Sequence, residues 1–162
     1  MTATPHSGRQ RAPLYTAEQR SRRDTTGWTL VQGILAPVQF LAFAVSLVLV
    51  LRYMAYGVGY EAATASILIK TGLLYAIMIT GALWEKAVFG QYLFAPAFFW
   101  EDALSFVVIA LHSLYLWGLL TGRLSPETLM IVTLAAYAAY VVNAGQFILK
   151  LRAARLDMGV RP

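Results

Sequence analysis

The sequence has no cysteine, few charged residues and only two histidines. Without cysteine, the chain can form no disulfide, no thiolate nucleophile and no cysteine metal site. His6 and His112 are too few for a protein-built histidine cluster. Charged residues make up 13% of the 162 residues and hydrophobic residues 59%, and the mean hydropathy is +0.60. This balance is too apolar for a soluble domain of this size, so the sequence predicts a membrane protein.

Several common functional signatures are also missing. There is no P-loop, dinucleotide-binding, zinc-protease or serine-hydrolase motif, which argues against those activities. No secretory signal peptide is evident, because a polar stretch of residues 1–27 precedes the first apolar run. The net charge of +5 comes from basic residues beside apolar runs, which favours anionic lipid headgroups over nucleic acid as the partner.

Four apolar runs are each near the roughly 20 residues needed to cross a bilayer. They occupy residues 28–51, 62–89, 96–120 and 128–149. The pattern predicts an all-α, integral membrane four-helix bundle. We expect residues 1–15 to be a disordered polar tail, residues 16–157 a single four-span membrane domain and residues 158–162 a C-terminal tail. Thr16 and Gln19 have capping-box spacing, which indicates either a basic helix on the membrane surface or a plain positive anchor before the first span.

The distribution of lysine and arginine predicts the orientation. Four spans place both tails and the 84–102 hairpin on one side, with ten basic residues, against Arg52 and Arg123 on the other side. The ten are Arg9, Arg11, Arg20, Arg22, Arg23, Lys86, Lys150, Arg152, Arg155 and Arg161. We therefore expect cytoplasmic N- and C-termini in a multi-pass protein of the inner, cytoplasmic or intracytoplasmic, membrane. Lys70 lies within a span, and we expect its side chain to extend outward to the opposite interface.

The hairpin of residues 84–102 is the strongest candidate for a site. Gly90 can end one helix and Pro96 can begin the next, which places Glu85 and Glu101 at similar depth and facing each other. Two ionised carboxylates so placed would repel, and one of them would keep a proton that a general acid could use.

A structural alternative exists for each of these charges. Glu101 and Asp102 fall in the first turns of a helix, where acids are favoured by about 0.3–1 kcal/mol through the helix dipole. Glu85 and Lys86 could be interfacial anchors. Neither alternative requires a catalytic role.

Polar residues inside the spans are costly and are therefore functional hypotheses. If their faces turn inward, they line a polar cavity that opens to the cytoplasm. The set comprises Gln32, Gln39, Glu101, Ser105, His112, Asn143, Gln146 and Lys150. His112 could be a packing residue or an axial ligand to the metal of a bound pigment, and protein-bound zinc is disfavoured. The aromatic residues of 92–100, Trp100 included, could form an interfacial belt or stack on a flat conjugated ligand.

Long segments of the chain resemble a known family. The segments are PLYTAEQRSRRD, WTLVQGILAPVQF, TGALWEKAVFGQYLFAPAFFWED and AAYAAYVVNAGQFILKLRAARLD. They resemble the 3-vinyl (bacterio)chlorophyllide hydratases, also called 2-vinyl bacteriochlorophyllide hydratases, of anoxygenic phototrophs. The resemblance extends from about Pro13 to Asp157.

The resemblance implies a carbon–oxygen lyase, a hydro-lyase of bacteriochlorophyll biosynthesis. Such an enzyme adds water to the C3-vinyl group of a chlorophyllide or bacteriochlorophyllide and gives the 3-(1-hydroxyethyl) derivative. It needs no cofactor, since the magnesium belongs to the substrate. The alternative is a non-catalytic membrane protein for pigment binding or assembly. Expected partners are the tetrapyrrole and membrane lipids, with a homo-oligomer or contacts to other pigment-synthesis enzymes left open, and no nucleic acid.

Within that chemistry we expect Glu85, Glu101 and Asp102 to be catalytic. One carboxyl group protonates the terminal vinyl carbon and another activates water. The expected substrate-binding residues are Gln32, Gln39, Lys86, Trp100, His112, Asn143 and Gln146. At 1.5 Å per residue His112 lies about 16 Å along its helix from Glu101, while the ring centre lies on the order of 6 Å from the vinyl group. His112 can therefore bind the magnesium of a reacting pigment only if the pigment tilts.

Overall fold

The computed structural model describes residues 13–159, with side chains described through Arg155, and it confirms the all-α prediction for that range. Within these residues the chain forms five helices. They are α1 (Ala17–Thr25), α2 (Gly27–Tyr56), α3 (Tyr60–Phe89), α4 (Phe99–Thr121) and α5 (Pro126–Gly159). The four helices α2 to α5 are long and apolar enough to cross a membrane.

The helix ends near the predicted site follow from local chemistry. α3 stops where Gly90 adopts a left-handed conformation with φ of +84°, as predicted, and its N–H donates to the Lys86 carbonyl. α4 begins at Phe99 rather than at the predicted Pro96. The residues between form a turn in which the Phe98 N–H donates to the Ala95 carbonyl over 2.7 Å.

The start of the described chain packs against this same turn. The predicted capping box is confirmed at the start of α1, since the Thr16 side chain accepts from the Gln19 N–H and the Gln19 side chain accepts from the Thr16 N–H. Residues 1–12 of the predicted disordered tail lie outside the described residues. Within residues 13–15, Tyr15 is buried with its ring 5.9 Å from that of Phe89 and 6.4 Å from that of Phe98.

α5 is longer than the predicted fourth span. The helix continues to Gly159, so the first two residues of the predicted C-terminal tail, 158–162, are helical. Residues 160–162 lie outside the described range.

The long helices pack as two closely associated pairs, α2 with α3 and α4 with α5. Between the pairs the contacts are sparser, and side chains rather than close backbones make them. Ser46 of α2 joins Tyr137 of α5 through a 2.5 Å hydrogen bond between their hydroxyl groups. The outer faces carry many exposed leucine, isoleucine, valine and aromatic side chains, which is the surface that a bilayer covers.

The prediction that the Lys70 side chain extends outward is wrong. Instead of extending outward, the side chain is 0% exposed and points between the helix pairs. Its ammonium lies 4.0 Å from the ring centroid of Tyr140 on α5, at cation–π distance. The face of α3 that carries Lys70 is turned toward Tyr140 of α5, so the side chain does not extend outward.

Candidate active site

The α3–α4 turn, residues 90–98, presents two consecutive backbone N–H groups to two carboxyl groups. The N–H of Phe94 donates to Asp102 Oδ2 over 2.7 Å, and the N–H of Ala95 donates to Glu85 Oε2 over 3.2 Å. Phe94 has a left-handed φ of +58°, which is uncommon for a residue with a Cβ. The two consecutive amides thus bind carboxyl groups that come from two different helices.

Glu85 and Asp102 form a buried carboxyl pair. Their side chains lie within hydrogen-bonding contact of each other, and the residues are 5% and 4% exposed. Glu85 comes from the last turn and a half of α3 and Asp102 from the first turn of α4. The pair therefore joins the ends of two candidate spans directly beneath the turn.

Glu101 makes a different contact from the one predicted. The sequence placed it opposite Glu85, but in the structure Asp102 takes that place. Glu101 Oε2 instead forms an ion pair with Lys150 Nζ of α5 at 2.5 Å. Consecutive residues on a helix point about 100° apart, so Asp102 faces α3 when Glu101 faces α5.

Lys150 connects the turn to α5. Besides Glu101, its ammonium donates to the carbonyl of Ala97 and lies 5.1 Å from the ring centroid of Phe98. A cation that is held by a carboxylate, a carbonyl and an aromatic face has a fixed position. The ion pair thus fixes α5 beside the carboxyl pair.

A polar seam continues from this ion pair into the α4–α5 interface. Ser105 donates to the Glu101 carbonyl, and Asn143 Nδ2 donates to Ser105 Oγ, each over 2.8 Å. Two side-chain amide oxygens of α5 are buried here and have no hydrogen-bond partner among the residues described, namely Asn143 Oδ1 and Gln146 Oε1. Two open acceptors one helical turn apart are suited to hold a water molecule.

Other predicted binding residues lie away from the carboxyl pair. Gln32 Nε2 donates to Thr80 Oγ1 over 2.7 Å and joins α2 to α3, and Gln39 is buried further along α2. Lys86 donates to the Gly90 carbonyl over 2.8 Å. Trp100 is 72% exposed on the outer face of α4, because it is rotated away from Glu101 and Asp102.

His112 is 1% exposed and lies ten residues beyond Asp102 on α4, about 15 Å along the helix axis. Its Nδ1 is 2.8 Å from the Val108 carbonyl oxygen. The structure therefore does not bring His112 to the carboxyl pair.

A surface crevice borders the site on the side of the N-terminal segment. It is lined by Pro13, Leu14, Gln19, Phe89, Pro96 and Ala97. Lys150 donates to the carbonyl of Ala97, one of the lining residues, so the crevice adjoins the ion pair. Among the side chains of residues 13–155 no group of three or more histidines, aspartates or glutamates is placed to hold a metal ion.

No sequence pattern indicated that the backbone amides of Phe94 and Ala95 would bind the two carboxyl groups. Their role depends on a left-handed residue, for which glycine or asparagine is the usual signal, and Phe94 is neither. The sequence did not predict the contact between Glu85 and Asp102, because that contact depends on whether α4 begins at Pro96 or at Phe99. A register change of three residues decides which of two adjacent acids faces α3.

The four long apolar helices indicate a membrane protein, and a buried pair of carboxyl groups is an arrangement that acid–base enzymes use. The model of the 2-vinyl bacteriochlorophyllide hydratase family matches residues 15–153. A 2-vinyl bacteriochlorophyllide hydratase of Cereibacter sphaeroides is 73% identical over 146 residues, 90% of either chain. One from Rhodobacter capsulatus is 70% identical over 148 residues, 91% of this chain and 85% of the relative. The chain belongs to the 2-vinyl bacteriochlorophyllide hydratase family, which confirms the resemblance, and no solved structure matches it.

Proposed function

We propose that this protein adds water to the vinyl group of a chlorophyllide-type tetrapyrrole in bacteriochlorophyll synthesis, giving the 3-(1-hydroxyethyl) derivative. Family membership supports the substrate class and the reaction. The observation that carries the mechanism is the contact between the buried carboxyl groups of Glu85 and Asp102. Two carboxyl groups in contact share a proton, because two anions at that separation would repel.

The first step is protonation of the terminal vinyl carbon. The shared proton of Glu85 and Asp102 moves to that carbon, which uses the π-electron pair of the vinyl group to form the new C–H bond. Positive charge develops on the inner vinyl carbon, where the macrocycle delocalises it. The carboxyl pair is then fully ionised, and its charge stabilises the cation from a position that the turn amides have already fixed.

The second step is addition of water to the inner carbon. The open acceptors Asn143 Oδ1 and Gln146 Oε1 share one hydrogen of the water, which leaves its other hydrogen for the carboxyl pair and directs an oxygen lone pair toward the cation. As the C–O bond forms, the water oxygen loses a proton to the carboxyl pair, which restores the starting state. The cycle consumes one water molecule and requires no cofactor, and the magnesium remains part of the substrate.

Glu101 has a supporting role in this proposal. Its ion pair with Lys150 holds α5, and with it Asn143 and Gln146, against the start of α4. Because the ammonium neutralises Glu101, the excess negative charge is confined to Glu85 and Asp102. Gln32 and Lys86 orient the end of α3 that carries Glu85.

We further propose that the four long helices form a bundle in the inner membrane with both termini in the cytoplasm. The lysine and arginine count supports this orientation. The contacts of Tyr15 with Phe98 and of Lys150 with Glu101 support a common side for the N-terminal segment, the turn and the end of α5. The pigment would then approach from the cytoplasmic side of the bilayer. Partners beyond the pigment and lipid, including a second copy, are not needed for this site.

The direct test is incubation of the purified protein with 3-vinyl chlorophyllide and, separately, with the corresponding bacteriochlorophyllide. A blue-shifted product heavier by one water molecule supports the hydratase and shows which pigment is preferred. Tight binding with unchanged pigment mass would identify a pigment carrier and contradict the proposal.

A further inference from the structure

Lys70 and His112 form a second buried polar site between the two helix pairs. The two residues are 0% and 1% exposed, and Lys70 Nζ and His112 Nε2 have no hydrogen-bond partner within residues 13–155. Both lie against Tyr137, with the ammonium 5.5 Å and the imidazole centroid 6.0 Å from its ring centroid. The reaction steps above use neither residue.

An ammonium without a hydrogen-bond acceptor in the middle of a membrane helix is costly. The ring of Tyr140, 4.0 Å from Lys70 Nζ, stabilises the charge from one side only and accepts no conventional hydrogen bond. The three N–H groups of an ammonium therefore remain available to an oxygen atom that arrives with a ligand.

His112 offers the complementary group. The Val108 carbonyl can only accept, so His112 Nδ1 carries the proton and donates to it over 2.8 Å. Nε2 is then left with its lone pair. The site presents one cationic donor and one neutral acceptor, a combination that holds a carbonyl oxygen on the lysine and a bridging water on the histidine.

The distance from the carboxyl pair matches a tetrapyrrole. His112 lies about 15 Å along α4 from Asp102 at 1.5 Å per residue. The vinyl group is too close to the ring centre for His112 to bind the magnesium at the same time. Lys70 lies 15 residues, about 22 Å, along α3 from Glu85. Substituents on the opposite edge of the macrocycle lie about twice as far from the vinyl group as the ring centre does, and the side chains and hydrogen bonds at the two ends span the remainder. Between Asp102 and His112 the buried face of α4 carries the small side chains Ser105 and Val108.

We propose, on the basis of the hydratase function, that Lys70 with His112 beside it binds the keto oxygen of the isocyclic ring, on the macrocycle edge opposite the vinyl group. The propionate is the other oxygen-bearing candidate, but it stands on a pyrrole ring adjacent to the one that carries the vinyl group. Lys70 thus acts as a specificity-determining residue. By holding the far edge, it directs the vinyl group at Glu85 and Asp102 and selects pigments that have this carbonyl.

The test compares wild-type protein with Lys70→Met, which keeps the length of the side chain and removes the donor. Arg52→Met, an exposed change on α2, is the matched control for loss of one positive charge. Three pigments are titrated by absorbance: 3-vinyl chlorophyllide, its analogue with the keto oxygen replaced by two hydrogens, and its propionate methyl ester. Thermal unfolding in detergent monitors folding, and loss of an unpaired buried charge should not lower the midpoint.

For wild-type protein we expect removal of the keto oxygen to weaken binding about tenfold to a hundredfold, the range for a hydrogen bond to a charged group. Lys70→Met should weaken binding of the parent pigment by the same factor and should not distinguish the parent from the analogue. Arg52→Met should behave as wild type, and the methyl ester should still bind in a Lys70-dependent way.

Equal binding of parent pigment to Lys70→Met and wild type would overturn the assignment. The assignment would also be overturned if binding weakened when the propionate is esterified and did not weaken when the keto oxygen is removed. Because binding is measured without turnover, a protein that binds in a Lys70-dependent way but leaves pigment mass unchanged would contradict the hydratase function alone.

Discussion

The carboxyl groups of Glu85 and Asp102 lie in contact beneath the α3–α4 turn, and each accepts a hydrogen bond from a different one of two consecutive backbone amides. The nearest ion pair, between Lys150 and Glu101, is made by the adjacent residue on α4. A backbone amide orients a carboxyl group without neutralising it. The pair is therefore fixed in place while its ability to hold and release a proton is preserved.

Replacing Glu85 by glutamine should lower turnover by at least about a hundredfold, the lower end of general acid–base contributions. An amide keeps the size of the side chain and can still accept from the Ala95 N–H, but it cannot deliver a proton. Pigment binding, measured by absorbance titration, should change little.

Glu61→Gln is the matched control for this substitution, since Glu61 is an exposed acid in the first turn of α3, at its opposite end. It should retain full turnover. Wild-type turnover in Glu85→Gln would remove Glu85 from the mechanism.

Two substitutions at Asp102 should separate its chemical role from its structural one. Asparagine retains an oxygen for the Phe94 N–H, so Asp102→Asn should keep the turn and lose turnover. Asp102→Ala leaves that partly buried amide without its acceptor and should in addition lower the free energy of unfolding by about 1 kcal/mol. Thermal unfolding in detergent and turnover give the two readouts. Asp102 does not have these two separate roles if Asp102→Asn unfolds as easily as Asp102→Ala, or if Asp102→Asn retains wild-type turnover.

The Glu101–Lys150 pair should behave as a coupled unit in stability. Either Glu101→Gln or Lys150→Met alone leaves the other charge at a largely buried position, and we expect each to cost about 1–3 kcal/mol, less than a fully buried pair because Lys150 is partly exposed. The double variant should lose less than the sum of the two single variants. A double-mutant cycle on thermal unfolding measures this coupling, and additive losses would show that the pair does not hold α5.

Removal of the unpaired acceptors on α5, Asn143 Oδ1 and Gln146 Oε1, should lower turnover and leave pigment affinity unchanged. Asn143→Ala and Gln146→Ala each remove one acceptor for the proposed water, and we expect turnover to fall about tenfold or more for a lost hydrogen bond in the reacting state. Ala139→Gly, one turn away on α5, serves as a control for a change at this helix. A parallel loss of pigment affinity in the two variants would indicate that they bind the macrocycle instead of water.

The fold was largely predictable because four runs near membrane length contain few charges, and Gly90 marks the end of α3 by a conformation that glycine adopts readily. The sequence did not predict which carboxyl group lies against Glu85 inside the site. Pro96 begins a turn and not the helix itself, which changes whether Glu101 or Asp102 faces Glu85. The inward orientation of Lys70 was not predictable either. It results from the position of Tyr140 on α5 beside α3, and the sequence alone does not show which face of α5 lies there.

Protonation of the vinyl group by Glu85 and Asp102 can be followed through the hydrogen isotope in the new C–H bond. Hydration of 3-vinyl chlorophyllide in D₂O, analysed by mass spectrometry and NMR, should place one deuterium on the terminal carbon of the new hydroxyethyl group, and Glu85→Gln should form this product at least about a hundredfold more slowly than Glu61→Gln. Deuterium on the inner carbon, or equal rates for the two variants, would contradict protonation of the vinyl group by the Glu85–Asp102 pair.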